Sequence, residues 1–182
     1  MDNAINEQAL SPGEVGAAAT PRRHLEVWLP MVIVAVDQAT KAMVKQALPL
    51  HDSVTIIPGF MDFTHVLNSG AAFGILNGVD FPFKTVAIAV IAMAALIGVG
   101  LYAASISHHQ LIARVGLALI IGGAAGNLID RVLFGSVVDF VDVYWRNHHF
   151  WAFNVADSAI SVGVAMMILD MLSTGTHVSK TV

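Results

Sequence analysis

The chain contains no cysteine, which excludes disulfides, thiolate nucleophiles and metal sites built on sulfur. It also has little charge. Asp, Glu, Lys and Arg make up 12% of 182 residues and the net charge is -4, too small and too scattered to grip nucleic acid. No internal repeat is visible, so the signature of a transporter assembled from duplicated halves is missing.

What the chain has in excess is apolar surface. Hydrophobic residues account for 56% of it and the mean hydropathy is +0.71, well beyond a soluble domain of this length. The composition predicts an integral membrane protein with one compact domain. Residues 1 to 20, MDNAINEQALSPGEVGAAAT, are small and polar with a Pro-Gly turn signal and read as a mobile tail. The basic pair Arg22 and Arg23 precedes an apolar span, but Asp37 and Lys41 interrupt that span and no small-residue cleavage site follows, which argues against a cleaved leader.

Thr85 to Ala113 is a run of 29 residues without Asp, Glu, Lys or Arg, whereas about 20 apolar residues already cross a bilayer. The other expected spans carry charges. Periodicity and breakers place helices at Leu25 to Leu48, Phe83 to Ser105, Leu111 to Asp130 and Phe153 to Leu172. The expected organisation is a cytoplasmic tail over 1–22, one membrane domain over 23–173 and a cytoplasmic C-terminal tail over 174–182. Arg22, Arg23, Arg114 and Lys180 fall on one side of this topology, and the positive-inside tendency makes that side cytoplasmic. Tyr144, Trp145, Phe150 and Trp151 then form an external aromatic belt.

Through that topology the polar residues converge. Asp37, Lys41, Asn127, Asp130, Arg131, Asn154 and Asp157 fall in the external halves of their helices, Asn68 in the first external segment, and Asp139 and Asp142 in the second. A charged group at the bilayer centre costs roughly 3 kcal/mol on insertion scales, so a cluster of them at one end marks a site. The alternation in FMDFTHVLN predicts a strand of a small surface sheet. In VVDFVDVYWRN the spacings of three and four place Asp139, Asp142 and Arg146 on one helical face, which predicts a short interfacial helix with Asp142 paired to Arg146. The expected fold class is therefore mainly α and integral to the membrane, with four transmembrane helices, a small extracytoplasmic β-sheet and a short interfacial helix.

Each polar motif has a plain packing role beside a chemical one. Asp37 and Lys41 in DQATK are four apart and pair on one helix face, and Asn127 and Arg131 in GGAAGNLIDR have the same spacing. Packing support is the simpler reading for both. NSGAAFGIL joins an Asn to small residues that let an extended backbone pass closely, or it is an ordinary Gly-rich turn. The pairs His108/His109 and His148/His149 lack metal-ligand spacing and read as interface histidines. Two carboxylates brought together offer more, because at short range they share a proton: one takes a proton from water while the other polarises a carbonyl. Asp157 lies about one turn below the interface, and its partner by spacing is Asp130, Asp139 or Asp142.

The ordered blocks DQATK, NSGAAFG, GGAAGNLIDR, VVDFVDVY and FNVADSAI together resemble the bacterial lipoprotein signal peptidase, the type II signal peptidase, over Asp37 to Ile160. The resemblance implies an aspartic endopeptidase of the bacterial cytoplasmic membrane, with both termini cytoplasmic and the site at the extracytoplasmic face. It implies a catalytic dyad of Asp139 and Asp157, with Asp37, Lys41, Asn68, Gly70, Gly123, Asn127, Arg131, Asn154 and Ala156 lining or bracing the site. It implies no metal or other cofactor. The implied substrate is a prolipoprotein whose Cys already bears diacylglycerol, cut on the amino side of that Cys by a monomer embedded in membrane phospholipid, without a nucleic-acid partner. Two rivals remain: a small proton-coupled transporter, which requires polar residues along a path through the bilayer, and a noncatalytic scaffold, which tolerates Asn in place of either Asp.

Overall fold

The structure, a computed structural model, describes residues 24–70, 78–79, 81–107, 110–146 and 148–178. The expectations for the leading tail, for the Gly-rich stretch 71–77, for His108 and His109, and for Arg22, Arg23 and Lys180 lie outside the described residues. The four expected helices are present as α1 (His24–Ala47), α2 (Lys84–Ser105), α3 (Leu111–Phe134) and α4 (Val155–Val178). All four are long and apolar enough to cross a membrane. α3 runs four residues beyond the expected Asp130 and stops at Gly135, whose φ of 77° lets its N–H turn back to the Arg131 carbonyl at 3.1 Å. α4 likewise continues past residue 173 to Val178.

α3 is the hub, packing on α4, α1 and α2. Small residues explain how it serves three neighbours. A methyl group on Gly123 would stand 2.3 Å from the Ala156 carbonyl oxygen of α4, and one on Gly126 would stand 2.6 Å from Asp37 Oδ2 of α1. The bare backbone at these two positions thus brings α4 and α1 against the same stretch of α3. At the opposite end of the bundle Arg114, near the start of α3, pairs with Glu26, near the start of α1. By contrast, α2 buries little beyond Lys84 and Ile88 and presents Val86, Val90, Ile91, Ile97 and Leu101 outward, as expected of a helix whose solvent is lipid.

The connections between helices build an antiparallel sheet in the order β1 (Ser53–Ile57), β2 (Met61–Asn68), β3 (Val137–Trp145) and β4 (His148–His149). β2 is the strand expected of FMDFTHVLN. β3 corrects the expectation of an interfacial helix. VVDFVDVYW is rich in β-branched and aromatic residues, and its backbone finds partners on both sides: β2 along its length, and Phe153, whose carbonyl accepts from Phe140 and Val141 at 3.0 and 2.9 Å. In a strand the side chains of residues three apart point to opposite faces. Val138 and Phe140 therefore pack together with Val44 of α1 and with Leu48 just after it, while Asp139 points the other way.

The same correction reassigns Asp142. It bonds His149 Nδ1 at 2.8 Å, and His149 stacks on Tyr144 with ring centroids 4.9 Å apart. Arg146 sits at the tip of the β3–β4 hairpin with φ 58°, outside reach of the expected pair.

Candidate active site

Asp157 is placed by the way α4 begins. Asn154 caps the helix: its Oδ1 accepts from the Asp157 N–H at 2.9 Å, and Asp157 Oδ2 accepts from the Asn154 N–H at 3.3 Å. This reciprocal pair is a capping box, in which the acidic residue three positions after the cap returns the bond. Asp157 also lies at the positive end of the helix dipole, which favours its ionised form. Its Oδ1 accepts from Asn127 Nδ2 of α3 at 2.7 Å.

Asp139 arrives from β3. The segment before α4 is stitched to that strand through Phe153 and Val141, so the cap of α4 lies beside Asp139. Asn154 Nδ2 donates to Asp139 Oδ1 at 2.7 Å. One asparagine therefore bonds both carboxylates, Asp139 through its amide and Asp157 through its backbone N–H. On the far side, Asn68 Nδ2 donates to Asp139 Oδ2 at 3.1 Å. Asn68 pairs with Val137 across β2 and β3, so it meets Asp139 along the diagonal of the ladder.

The environments of the two carboxylates differ. Asp139 is 3% exposed, and burial, with the Asp157 charge second, pushes its carboxyl up to about 7. Asp157 is half-buried, leaving a side open to water or substrate.

Beneath the carboxylates lies an ionic cluster. Lys41 Nζ sits 2.8 Å from Asp37 Oδ2 and 2.7 Å from Asp130 Oδ2, and it donates to Asn127 Oδ1 at 3.0 Å. All three charged residues are essentially buried. Asp37 Oδ1 accepts from the Ala156 N–H at 3.0 Å, one residue from Asp157. Gln38 Nε2 reaches Asp130 Oδ1 at 3.0 Å and Asp37 Oδ2 at 3.2 Å. Above the cluster, Arg131 donates to the Asn127 carbonyl at 3.1 Å and to the Gly70 carbonyl at 2.9 Å, and the Gly70 N–H donates to Asn68 Oδ1 at 3.0 Å.

Every residue expected at the site is thus in one bonded cluster or, for Gly123, supplies the close approach that holds it. Of the partners that spacing left open for Asp157, Asp139 shares its asparagine, Asp130 is held by Lys41 and Gln38, and Asp142 points to the other face of β3. Two roles are not legible in the sequence: Gln38 sits inside DQATK with no spacing that marks it as a partner of Asp130, and Asp130, a candidate partner of Asp157 by spacing, instead shares Lys41 with Asp37. The N-x-x-D pattern of a capping box in FNVAD was a readable signal for how Asp157 is held. Among the described residues, no group of three or more His, Cys, Asp or Glu is placed to hold a metal ion.

Comparison with known proteins points the same way. The model of the signal peptidase (SPase) II family matches residues 29–173. The lipoprotein signal peptidase of Geobacter metallireducens is 46% identical over 151 residues, 82% of this chain and 91% of that protein. That of Syntrophotalea carbinolica is 45% identical over 140 residues, 76% of this chain and 84% of that one. A solved bacterial membrane enzyme superposes with a TM-score of 0.76 at 32% identity, covering 85% of this chain and 92% of that one.

Proposed function

Because the chain belongs to the signal peptidase II family, we propose that it removes the signal peptide from diacylglyceryl-modified prolipoproteins on the amino side of the lipidated Cys, with Asp139 and Asp157 as its catalytic dyad. The observation that carries this reading is the shared asparagine: Asn154 bonds two carboxylates from different elements, one 3% exposed and one open on a side. Lys41 is shared between Asp37 and Asp130 and also faces the dyad, where its charge favours the anionic form of Asp139.

The dyad's one proton sits on Asp139 in the starting state, a form present below about pH 7, and Asp157 is then the ionised partner. Burial and a neighbouring charge favour the neutral acid at Asp139, while the capping N–H, the Asn127 amide and the helix dipole favour the anion at Asp157. Asp157 takes a proton from water as its oxygen attacks the scissile carbonyl carbon, and Asp139 gives its proton to the carbonyl oxygen, yielding a gem-diol. Asp157 then protonates the amide nitrogen, the C–N bond breaks, and Asp139 recovers a proton from the diol. Atoms and protons balance, and the dyad returns to its starting state.

Both termini face the cytoplasm and the dyad lies at the extracytoplasmic edge of the bilayer. The Glu26–Arg114 pair at the other end of the bundle supports this, since Arg114 belongs to the basic set of the inner side. Phospholipid covers the outward apolar faces of α2 and α4, where Leu101 and Leu172 stand exposed. A transporter is not favoured, because among the described residues the buried polar groups, apart from Arg114 with Glu26 at the inner end, gather at one end instead of lining a path.

The test is release of signal peptide from a diacylglyceryl-modified precursor by the reconstituted protein, followed by mass spectrometry. Asp139→Asn and Asp157→Asn should each abolish release while leaving the precursor bound. Full activity in either variant would remove that residue from the dyad. A chelator should leave cleavage intact, and loss of activity restored by zinc would point to a metal mechanism instead.

A further inference from the structure

Lys84 is the first residue of α2 and is 6% exposed. A cation there carries two costs: burial strips it of water, and the positive pole of the helix N-terminus repels it. Its ammonium donates to Ser69 Oγ at 3.1 Å and to the Val79 carbonyl at 2.8 Å. Among the described residues no carboxylate pairs with it. Ser69 and Val79 stand at the beginning and the end of the connection from β2 to α2, so one side chain ties the two ends together.

The tie falls beside the dyad. Ser69 is flanked by Asn68, which donates to Asp139 at 3.1 Å, and by Gly70, whose carbonyl accepts from Arg131 at 2.9 Å. Lys84 therefore holds Ser69 from the α2 side while Arg131 holds the adjacent Gly70 from the α3 side. We propose that Lys84 is a positioning residue for peptide cleavage: by pinning Ser69 and Val79 it holds Asn68 where its amide reaches Asp139. This rests on the dyad assigned above.

A lysine that only steadied a loop would change stability and nothing else. A lysine acting through Asn68 must also change how Asp139 titrates. Asp139 is faced by Asp157 from α4, Lys41 from α1, Arg131 from α3, Asn154 before α4 and Asn68 from β2. Of these, Asn68 is the one whose neighbour in sequence, Ser69, accepts a hydrogen bond from Lys84. The Asn68 bond favours the ionised form of Asp139 and so draws its titration downward. Loosening it lets burial and Asp157 push Asp139 further up.

The experiment is the pH profile of kcat/KM on a diacylglyceryl-modified precursor, using the full chain with Lys84→Met, Ser69→Ala, Asn68→Ala and the double variant Lys84→Met/Asn68→Ala. Lys84→Met should lower kcat/KM about tenfold at neutral pH and move the alkaline limb upward by about half a pH unit, part of what a hydrogen bond to a charged group supplies. Ser69→Ala, which keeps the Val79 bond, should move it less and in the same direction, and it carries the test if Lys84→Met does not fold. The double variant should move the limb no further than Asn68→Ala. An unmoved limb in Lys84→Met, or shifts that add in the double variant, would overturn the proposal while the dyad stands. Activity in Asp139→Asn would overturn both, and is read in a separate variant.

Discussion

Removing the cation from the buried cluster tests the architecture most directly. Lys41→Met keeps the volume and apolar stem of the side chain and deletes only its charge and donors. Two anions lose their counter-ion, but unequally: Asp37 keeps the Ala156 N–H at 3.0 Å and Gln38 at 3.2 Å, whereas Asp130 keeps only Gln38 at 3.0 Å. Breaking a buried pair by deleting one partner costs roughly 3 to 5 kcal/mol. With two carboxylates stranded, the loss should fall in the upper half of that range, roughly 4 to 5 kcal/mol. Neutralising the anions as well reverses the argument. Lys41→Met with Asp37→Asn and Asp130→Asn removes all three charges and keeps an acceptor for the Ala156 N–H, so it should recover to within about 2 kcal/mol of the parent, since replacing a whole buried ionic group by neutral residues is often nearly neutral.

The assay is reversible unfolding of the purified protein in mixed detergent micelles, titrated with dodecyl sulfate and followed by tryptophan fluorescence and circular dichroism. A loss below about 1 kcal/mol in Lys41→Met, or a triple variant no better than the single, would refute the claim that ion pairing to Lys41 holds these helices together. Because Lys41 also donates to Asn127 Oδ1, and Asn127 holds Asp157, the triple variant should remain slower by about tenfold even where its stability has recovered, the equivalent of one hydrogen bond.

Three further outcomes follow from the geometry. Asp139, pushed up to about 7, must hold its proton for catalysis, so the proton is present below that pH and lost above it: kcat/KM should fall about tenfold per unit on the alkaline side, and a profile flat to pH 9 would contradict the assignment. Gly123→Ala would set a methyl 2.3 Å from the Ala156 carbonyl and 2.8 Å from Ile160 Cγ1; forcing α3 and α4 apart should cost roughly 1 to 3 kcal/mol in the same unfolding assay and most of the activity. Asn154→Ala removes the cap of α4 and the Asp139 bond together, so it should lose about 1 kcal/mol of stability and at least a hundredfold in cleavage rate, more than the cap alone explains.

The helices were legible because lipid leaves the backbone no partner but itself, and a long apolar run then has one outcome. The strand over Val137–Trp145 was not, because its Asp, Asp and Arg happen to repeat at helical spacing while its partners lie far off in sequence: Met61 to Asn68 on one side and Phe153 on the other. Spacing within a segment cannot report pairing between segments. The same limit explains the site. Asp37 with Lys41 reads from four-residue spacing, but Asp130 joins them from a helix some ninety residues away, and Gln38 has no pattern to announce it. Among Asp130, Asp139 and Asp142 the spacing left the partner of Asp157 open, and only the two-residue alternation of β3 sends Asp139 inward and Asp142 to His149.

The geometry of the proposed dyad is set mostly by backbone. Asp157 is fixed by helix initiation, since its carboxylate completes the capping box of α4. Asp139 is fixed by the ladder that joins β3 to β2 and to Phe153. α4 in turn is seated against α3 by the absent side chain of Gly123 and against Asp37 by the Ala156 N–H. Groups carried by such elements need little rearrangement when charge develops, so the proposed dyad would meet its transition state preorganised. The side chains of Asn68, Arg131 and Lys84 then act on a frame already built. Substitutions there should tune rate and pH response with little change in stability, whereas changes at Asn154, Gly123 or Lys41 should lower stability and activity together.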